Sequence, residues 1–145
     1  MQTMKKKVIL NTDGGARGNP GVSGAGAVLV DESGKTLKET SKHLGERTNN
    51  FAEYMGVILG LEMTAKHFGK AQCKDIELTV RMDSELVCKQ LNGEYQIKEE
   101  TLFPLYIRVH NMTVSIFPNI AFEHVRREDN ERADVLANEA MDKAT

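Results

Sequence analysis

The sequence predicts an α/β domain, a mixed sheet flanked by helices, with elements in the order βββαβααβα. Three observations lead there. The first 44 residues read as short extended runs separated by turn-forming clusters, a helical apolar period sets in near residue 50, and from Ile76 onward period-two and helical segments alternate.

Val8 to Thr12 is the first expected strand. The run Asp13-Gly14-Gly15-Ala16-Arg17-Gly18-Asn19-Pro20-Gly21 reads as the turn that ends it. Ala25 to Val30 is the second strand, Asp31 to Lys35 a reverse turn, and Thr36 to Leu44 the third strand, which together suggest an antiparallel meander. A helix is expected from about Asn50 to Lys66, because Phe51, Tyr54, Met55, Ile58 and Leu61 recur at helical spacing. In Ile76 to Met82 the apolar residues Ile76, Leu78, Val80 and Met82 alternate with Glu77, Thr79 and Arg81, as in a half-buried strand. Ser84 is placed to cap the next helix, with Leu86, Val87 and Leu91 on its inner face and Asn92-Gly93 at its end. Leu102 to Thr113 should be helical, with Pro104 in the first turn. A strand from Ile120 to Val125 and a last helix carrying Ala133, Leu136, Ala137 and Ala140 complete the chain.

A chain of 145 residues suits one domain spanning residues 1–145, with residues 1–6 expected as a flexible tail. Hydrophobic residues at 40% and charged residues at 28% mark a globular composition rather than a disordered one. No stretch approaches the ~20 apolar residues of a membrane span, and Val8-Ile9-Leu10 is too short for a signal peptide, so a cytoplasmic location is the expectation. Cys73 and Cys88 lack a metal-ligand spacing and are expected as thiols. The net charge of −2 does not advertise nucleic-acid binding. Setting four carboxylates aside as a metal site would leave the rest of the chain slightly positive, which is compatible with a local basic groove.

Four carboxylates fall where elements end: Asp13 at the close of the first strand, Glu53 in the first turn of its helix, Asp83 after the fourth strand, and Asp134 early in the last helix. Sites in α/β sheets commonly form at such ends. Taken singly, Asp13 reads as a turn residue, and Glu53 and Asp134 as complements to a helix dipole. Glu53 resists that reading best. Its neighbours at i+3, i+4 and i+7 are Gly56, Val57 and Gly60, and each mid-helix glycine costs about 1 kcal/mol relative to alanine. Close approach of that helix to the sheet would explain them, and a carboxylate above so tight a face needs a compensating charge, which a metal ion could supply.

Four blocks of sequence resemble type 1 ribonuclease H, in family order and over nearly the whole chain. They are Thr12 to Gly21, Thr48-Asn49-Asn50-Phe51-Ala52-Glu53-Tyr54, Met82 to Val87, and His124 to Ala140. The resemblance implies a ribonuclease H-like fold, a five-stranded mixed sheet of three antiparallel strands followed by two parallel ones. It implies an endoribonuclease that hydrolyses the RNA strand of RNA–DNA hybrids and leaves 3′-hydroxyl and 5′-phosphate ends. Asp13, Glu53, Asp83 and Asp134 would be its catalytic, metal-binding carboxylates. Two Mg²⁺ ions, with Mn²⁺ as a substitute, suit phosphodiester hydrolysis, since hard cations prefer oxygen ligands. Asp13 would be shared between them, Glu53 and Asp83 completing one site and Asp134 the other.

By the same resemblance Gly14, Gly15, Asn19, Asn49 and Asn50 would meet the substrate's minor groove, and Thr48 a DNA phosphate. A 2′-hydroxyl, which both donates and accepts, is the feature that separates RNA from DNA. The competing reading makes Thr48, Asn49 and Asn50 helix-capping residues. Two departures stand out. The loop that bears a histidine in many relatives is missing; His124 reads as a packed strand residue, and Arg127 is the candidate for electrostatic help at the scissile phosphate, with a solvated rim arginine as the alternative. The basic, tryptophan-bearing protrusion of many relatives is also absent between Leu91 and Leu102, so hybrid affinity should be modest and salt-sensitive. Lys5, Lys6 and Lys7 read as a frayed tail. The expected partner is an RNA–DNA hybrid, with no membrane, no obligatory protein partner and a monomeric state. A hybrid-binding module without catalysis, and a related nuclease that also accepts double-stranded RNA, stand as alternatives.

Overall fold

The computed structural model describes residues 5–143. Its strands are β1 (Lys6–Arg17), β2 (Gly21–Asp31), β3 (Thr36–Arg47), β4 (Ile76–Met82) and β5 (Ile120–His124), and its helices α1 (Asn49–Phe68), α2 (Lys70–Cys73), α3 (Glu85–Leu91), α4 (Phe103–Ser115) and α5 (Glu131–Asp142). The sheet order is β3-β2-β1-β4-β5. β1 pairs antiparallel with β2 and β2 with β3, while β1–β4 and β4–β5 are parallel. The expected mixed sheet is therefore present, with three antiparallel strands and then two parallel ones.

The two faces of the sheet bury different residues. Val8, Leu10, Ala27, Leu29, Leu78, Val80 and Met82 join Tyr54, Val57, Ile58 and Leu61 of α1 in the main core. On the opposite face Val28 packs with Ala133 and Leu136 of α5. Glycines set how close α5 comes: a methyl group on Gly26 would lie 2.6 Å from Leu136 Cβ, and one on Gly24 2.6 Å from the Ala137 carbonyl oxygen. Tyr54 donates from its hydroxyl to Gln90 Oε1 at 2.7 Å, a buried bond that ties α1 to α3.

Several expectations need correction. β1 does not end at Thr12 but runs to Arg17, because its ladder with β2 continues from Asp13 opposite Gly26 to Arg17 opposite Val22. The turn is confined to Gly18–Pro20, where Gly18 has a φ of +94°. Gly14 is glycine for packing, since an added Cβ would collide with the Ala52 backbone. Lys6 and Lys7 belong to β1 opposite Ile76 and Glu77, so the tail does not extend through residue 6; residues 1–4 lie outside the described residues. α2 was not anticipated. Leu86 is 40% exposed rather than inward-facing; Val87 is buried and Leu91 packs partly buried against the core as expected, and α3 also turns Cys88 and Gln90 inward. Ser84 caps α3 as expected, accepting from the Val87 amide at 3.2 Å. Cys73 and Cys88 are free and buried. Among the described residues, no helix is long and apolar enough to cross a membrane.

Candidate active site

The four predicted carboxylates come from four elements. Asp13 sits midway along β1, and Asp83 directly follows β4, its parallel neighbour. Glu53 lies in the second turn of α1, not the first, so proximity to the helix terminus does not explain it. Its place follows from packing. A Cβ on Gly56 would stand 2.6 Å from the Asp13 carbonyl oxygen, so α1 touches β1 at the residue that carries the first carboxylate. The mid-helix glycines are thus accounted for by close approach, and Gly60 likewise lies against Leu10. Asp134 is in the first turn of α5, the helix that packs on the face of the sheet opposite α1.

One oxygen each from Asp13, Glu53 and Asp83 can be chosen so that all three lie within 4.8 Å of one another. Asp134 is outside that trio but close enough to Asp13 to perturb it. Asp13 is 6% exposed, and its carboxyl is pushed up to about 8, by burial first and then by the Asp83 and Asp134 carboxyls beside it. Glu53 is likewise held well above the ordinary carboxylate range by burial and by Asp13 and Asp83, with the Gly14 backbone N–H opposing the shift. Among the described residues, no basic side chain forms an ion pair with Asp13, Glu53 or Asp83. Clustered hard oxygen donors whose mutual repulsion no ion pair relieves fit a divalent cation such as Mg²⁺ or Mn²⁺.

The trio and Asp134 line a cleft of about 580 Å³, together with Gly14, Gly15, Arg17, Asn49, Asn50, His124, Arg126, Arg127 and Asn138. Asn49 accepts at Oδ1 from the Ala16 backbone N–H at 2.8 Å, and its own backbone N–H donates to Asn19 Oδ1 at 3.1 Å. Asn19 and Asn49 thereby join the end of β1 to the start of α1. Thr48 is the cap of α1, accepting from the Phe51 amide at 3.2 Å, and borders a separate shallow hollow with Pro20, Arg47 and Phe51. Asn50 is not a cap; it lines the cleft and the adjoining hollow formed with Leu86, Gln90 and Tyr95. His124 ends β5 as a strand residue, but it is exposed on the cleft rather than packed.

Arg127 begins a 3-10 turn, Arg127–Asp129, and its Nη2 lies 3.4 Å from Asp134 Oδ1. The side chain is 77% exposed, and Asp134 raises its already high pKa. Three further residues of the site went unnoticed in the sequence. Asn138 donates from Nδ2 to Asp134, at 2.9 Å to the carbonyl oxygen and 3.3 Å to Oδ1. Arg17 donates to Asn138 Oδ1 at 3.4 Å while pairing with Asp142 at 2.7 Å, and so holds that amide with its nitrogen toward Asp134. Asn130, buried at the start of α5, donates from Nδ2 to the Thr12 carbonyl at 2.8 Å. The i, i+4 spacing of Asp134 and Asn138 was a usable signal; for Arg17 and Asn130 nothing local was.

Comparison with known proteins places this architecture. A family model described as reverse transcriptase-like matches residues 11–140. A ribonuclease HI of Halobacterium salinarum is 43% identical over 132 residues, 91% of this chain and 63% of that protein. A bifunctional protein of Mycobacterium tuberculosis is 42% identical over 139 residues, 95% of this chain but 36% of that protein. The chain thus spans just over a third of the mycobacterial relative and just under two thirds of the halobacterial one. Among solved structures, LC11-RNase H1, isolated from compost by a metagenomic approach, matches with a TM-score of 0.89 at 49% identity, covering 95% of this chain and 97% of that one. The same protein in complex with an RNA/DNA hybrid matches at 0.90 and 48%, covering 94% and 98%.

Proposed function

Since the chain belongs to the type 1 ribonuclease H family, we propose that it is an endoribonuclease that hydrolyses the RNA strand of RNA–DNA hybrids and leaves 3′-hydroxyl and 5′-phosphate ends. The observation that carries this reading is the convergence of Asp13, Glu53 and Asp83 within 4.8 Å, with Asp134 beside them, in one open cleft. The RNA/DNA complex of LC11-RNase H1 supports the substrate class.

Asp13 would be the ligand shared by two divalent ions, Glu53 and Asp83 completing one position and Asp134 the other. When bound, the ions supply Lewis-acid activation of water and stabilise charge on the attacking and leaving oxygens. The remaining work belongs to the chain. The Gly14–Gly15 backbone with Asn19, Asn49 and Asn50 offers donors and acceptors for RNA 2′-hydroxyls along the cleft. Thr48, at the cap of α1, is suited to a DNA phosphate. Arg127, free to swing because most of its side chain is in solvent, brings a fixed positive charge to the scissile phosphate.

The test is to incubate end-labelled RNA–DNA hybrid, double-stranded RNA and double-stranded DNA with Mg²⁺, Mn²⁺ or EDTA, beside Asp13→Asn. Internal cuts in the hybrid's RNA alone, abolished by EDTA or the substitution, are expected. Binding without cutting would point instead to a hybrid-binding module, and equal cutting of double-stranded RNA to the broader nuclease.

A further inference from the structure

Asn130 occupies the N-cap position of α5, and asparagine is among the best residues for capping. Yet its side chain makes no cap hydrogen bond to the helix. It turns instead onto the sheet, where Nδ2 donates to the Thr12 carbonyl at 2.8 Å across 118 residues of sequence. The residue is 2% exposed, and its Oδ1 is buried without a hydrogen-bond partner. An unsatisfied buried acceptor and a forgone cap both cost stability. The geometry is therefore unfavourable for the helix considered alone.

It makes sense for the two residues that it connects. Thr12 immediately precedes Asp13. The Asn130 carbonyl accepts from the Asp134 amide at 3.1 Å, the first turn of α5. A single residue thus grips the backbone next to one carboxylate with its side chain, and the backbone of the other with its carbonyl. The amide cannot be reversed without setting Oδ1 against the Thr12 oxygen, so the donor role is dictated by chemistry.

We infer that Asn130 is a positioning residue that fixes the separation of Asp13 and Asp134 by tethering the start of α5 to β1. This rests on the metal-binding reading given above. Asn130 touches neither metal nor substrate, and its effect passes through the two carboxylates, as do those of other groups that orient metal ligands.

The test uses the full chain with Asn130→Asp, which replaces the donor with an acceptor, and Asn130→Ser. Serine caps helices well but is too short to keep the tether, so it separates helix capping from strand attachment. Three quantities are read for each protein: Tm, Mn²⁺ affinity by calorimetry without nucleic acid, and hybrid Kd in EDTA. For both variants Mn²⁺ affinity is expected to fall on the order of ten-fold, with hybrid Kd in EDTA unchanged and with the serine variant retaining a near wild-type Tm. Wild-type Mn²⁺ affinity in Asn130→Ser would overturn the inference and leave Asn130 a structural residue. Absence of Mn²⁺ binding by the wild-type protein would overturn the metal reading itself, and the inference with it.

Discussion

Gly56 and Asp13 touch backbone to backbone: a methyl group built on Gly56 would lie 2.6 Å from the Asp13 carbonyl oxygen and 3.1 Å from its carbonyl carbon. That contact holds α1, and with it Glu53, against the strand that carries Asp13. Replacing Gly56 with alanine should raise helix propensity by about 1 kcal/mol, yet the collision is with backbone that cannot rotate away. Gly56→Ala is expected to be destabilising by about 1–3 kcal/mol net, with hybrid cleavage reduced further than the unfolded fraction explains. Urea denaturation beside a cleavage assay checks both parts.

The metal-free protein should lose stability as pH rises. The Asp13 carboxyl is held at about 8 in the fold, against an ordinary value of 3.8. Between those values the folded state keeps a proton that the unfolded chain has released, so the folded state is disfavoured progressively from about pH 4 to about pH 8. Glu53 acts in the same direction. In EDTA, Tm is expected to fall more across that window in the wild-type protein than in Asp13→Asn. Added Mg²⁺ should raise Tm more at pH 8 than at pH 5, because binding expels the proton. Thermal scans across pH, with and without metal, read both effects.

Arg127→Ala should lower turnover while leaving hybrid binding largely intact, because the guanidinium lies 3.4 Å from Asp134 at the edge of the cleft. Arg127→Lys should recover part of the loss, since charge is kept and the planar fork is not. Single-turnover rates and hybrid Kd separate the two quantities; an unchanged rate in Arg127→Ala removes Arg127 from the mechanism.

Tyr54→Phe removes the donor to Gln90 Oε1 and leaves that oxygen buried. A loss of about 1–2 kcal/mol is expected, measured by denaturant unfolding, with the cleavage rate per folded molecule unchanged. A comparable fall in rate would mean that the α1–α3 junction feeds into the site.

Elements with a clean local period were legible in the sequence. Ile76–Met82 alternates strictly and is β4 as read, and Ser84 capped the helix that it announced. The mid-helix pair Gly56 and Gly60 correctly signalled close approach to the sheet, which brought Glu53 into the site. The glycines at 14 and 15 misled because glycine marks turns and tight packing alike, and only the partner, Ala52 on α1, tells which applies to Gly14. Leu86 misled because a seven-residue helix is too short for its apolar residues to define one stripe. Asn130 was illegible for a different reason. Its bond partner, Thr12, is 118 residues away, and an asparagine at a helix start reads by default as a cap.

The most direct measurement is the anomalous scattering of Mn²⁺ in crystals of the protein with an uncleaved RNA–DNA hybrid. Density between the carboxylates of Asp13, Glu53 and Asp83, with a second ion against Asp13 and Asp134, is expected, facing an RNA phosphate. Ions found only on surface carboxylates elsewhere, or a hybrid bound away from this cleft, would contradict a catalytic centre built from these four side chains.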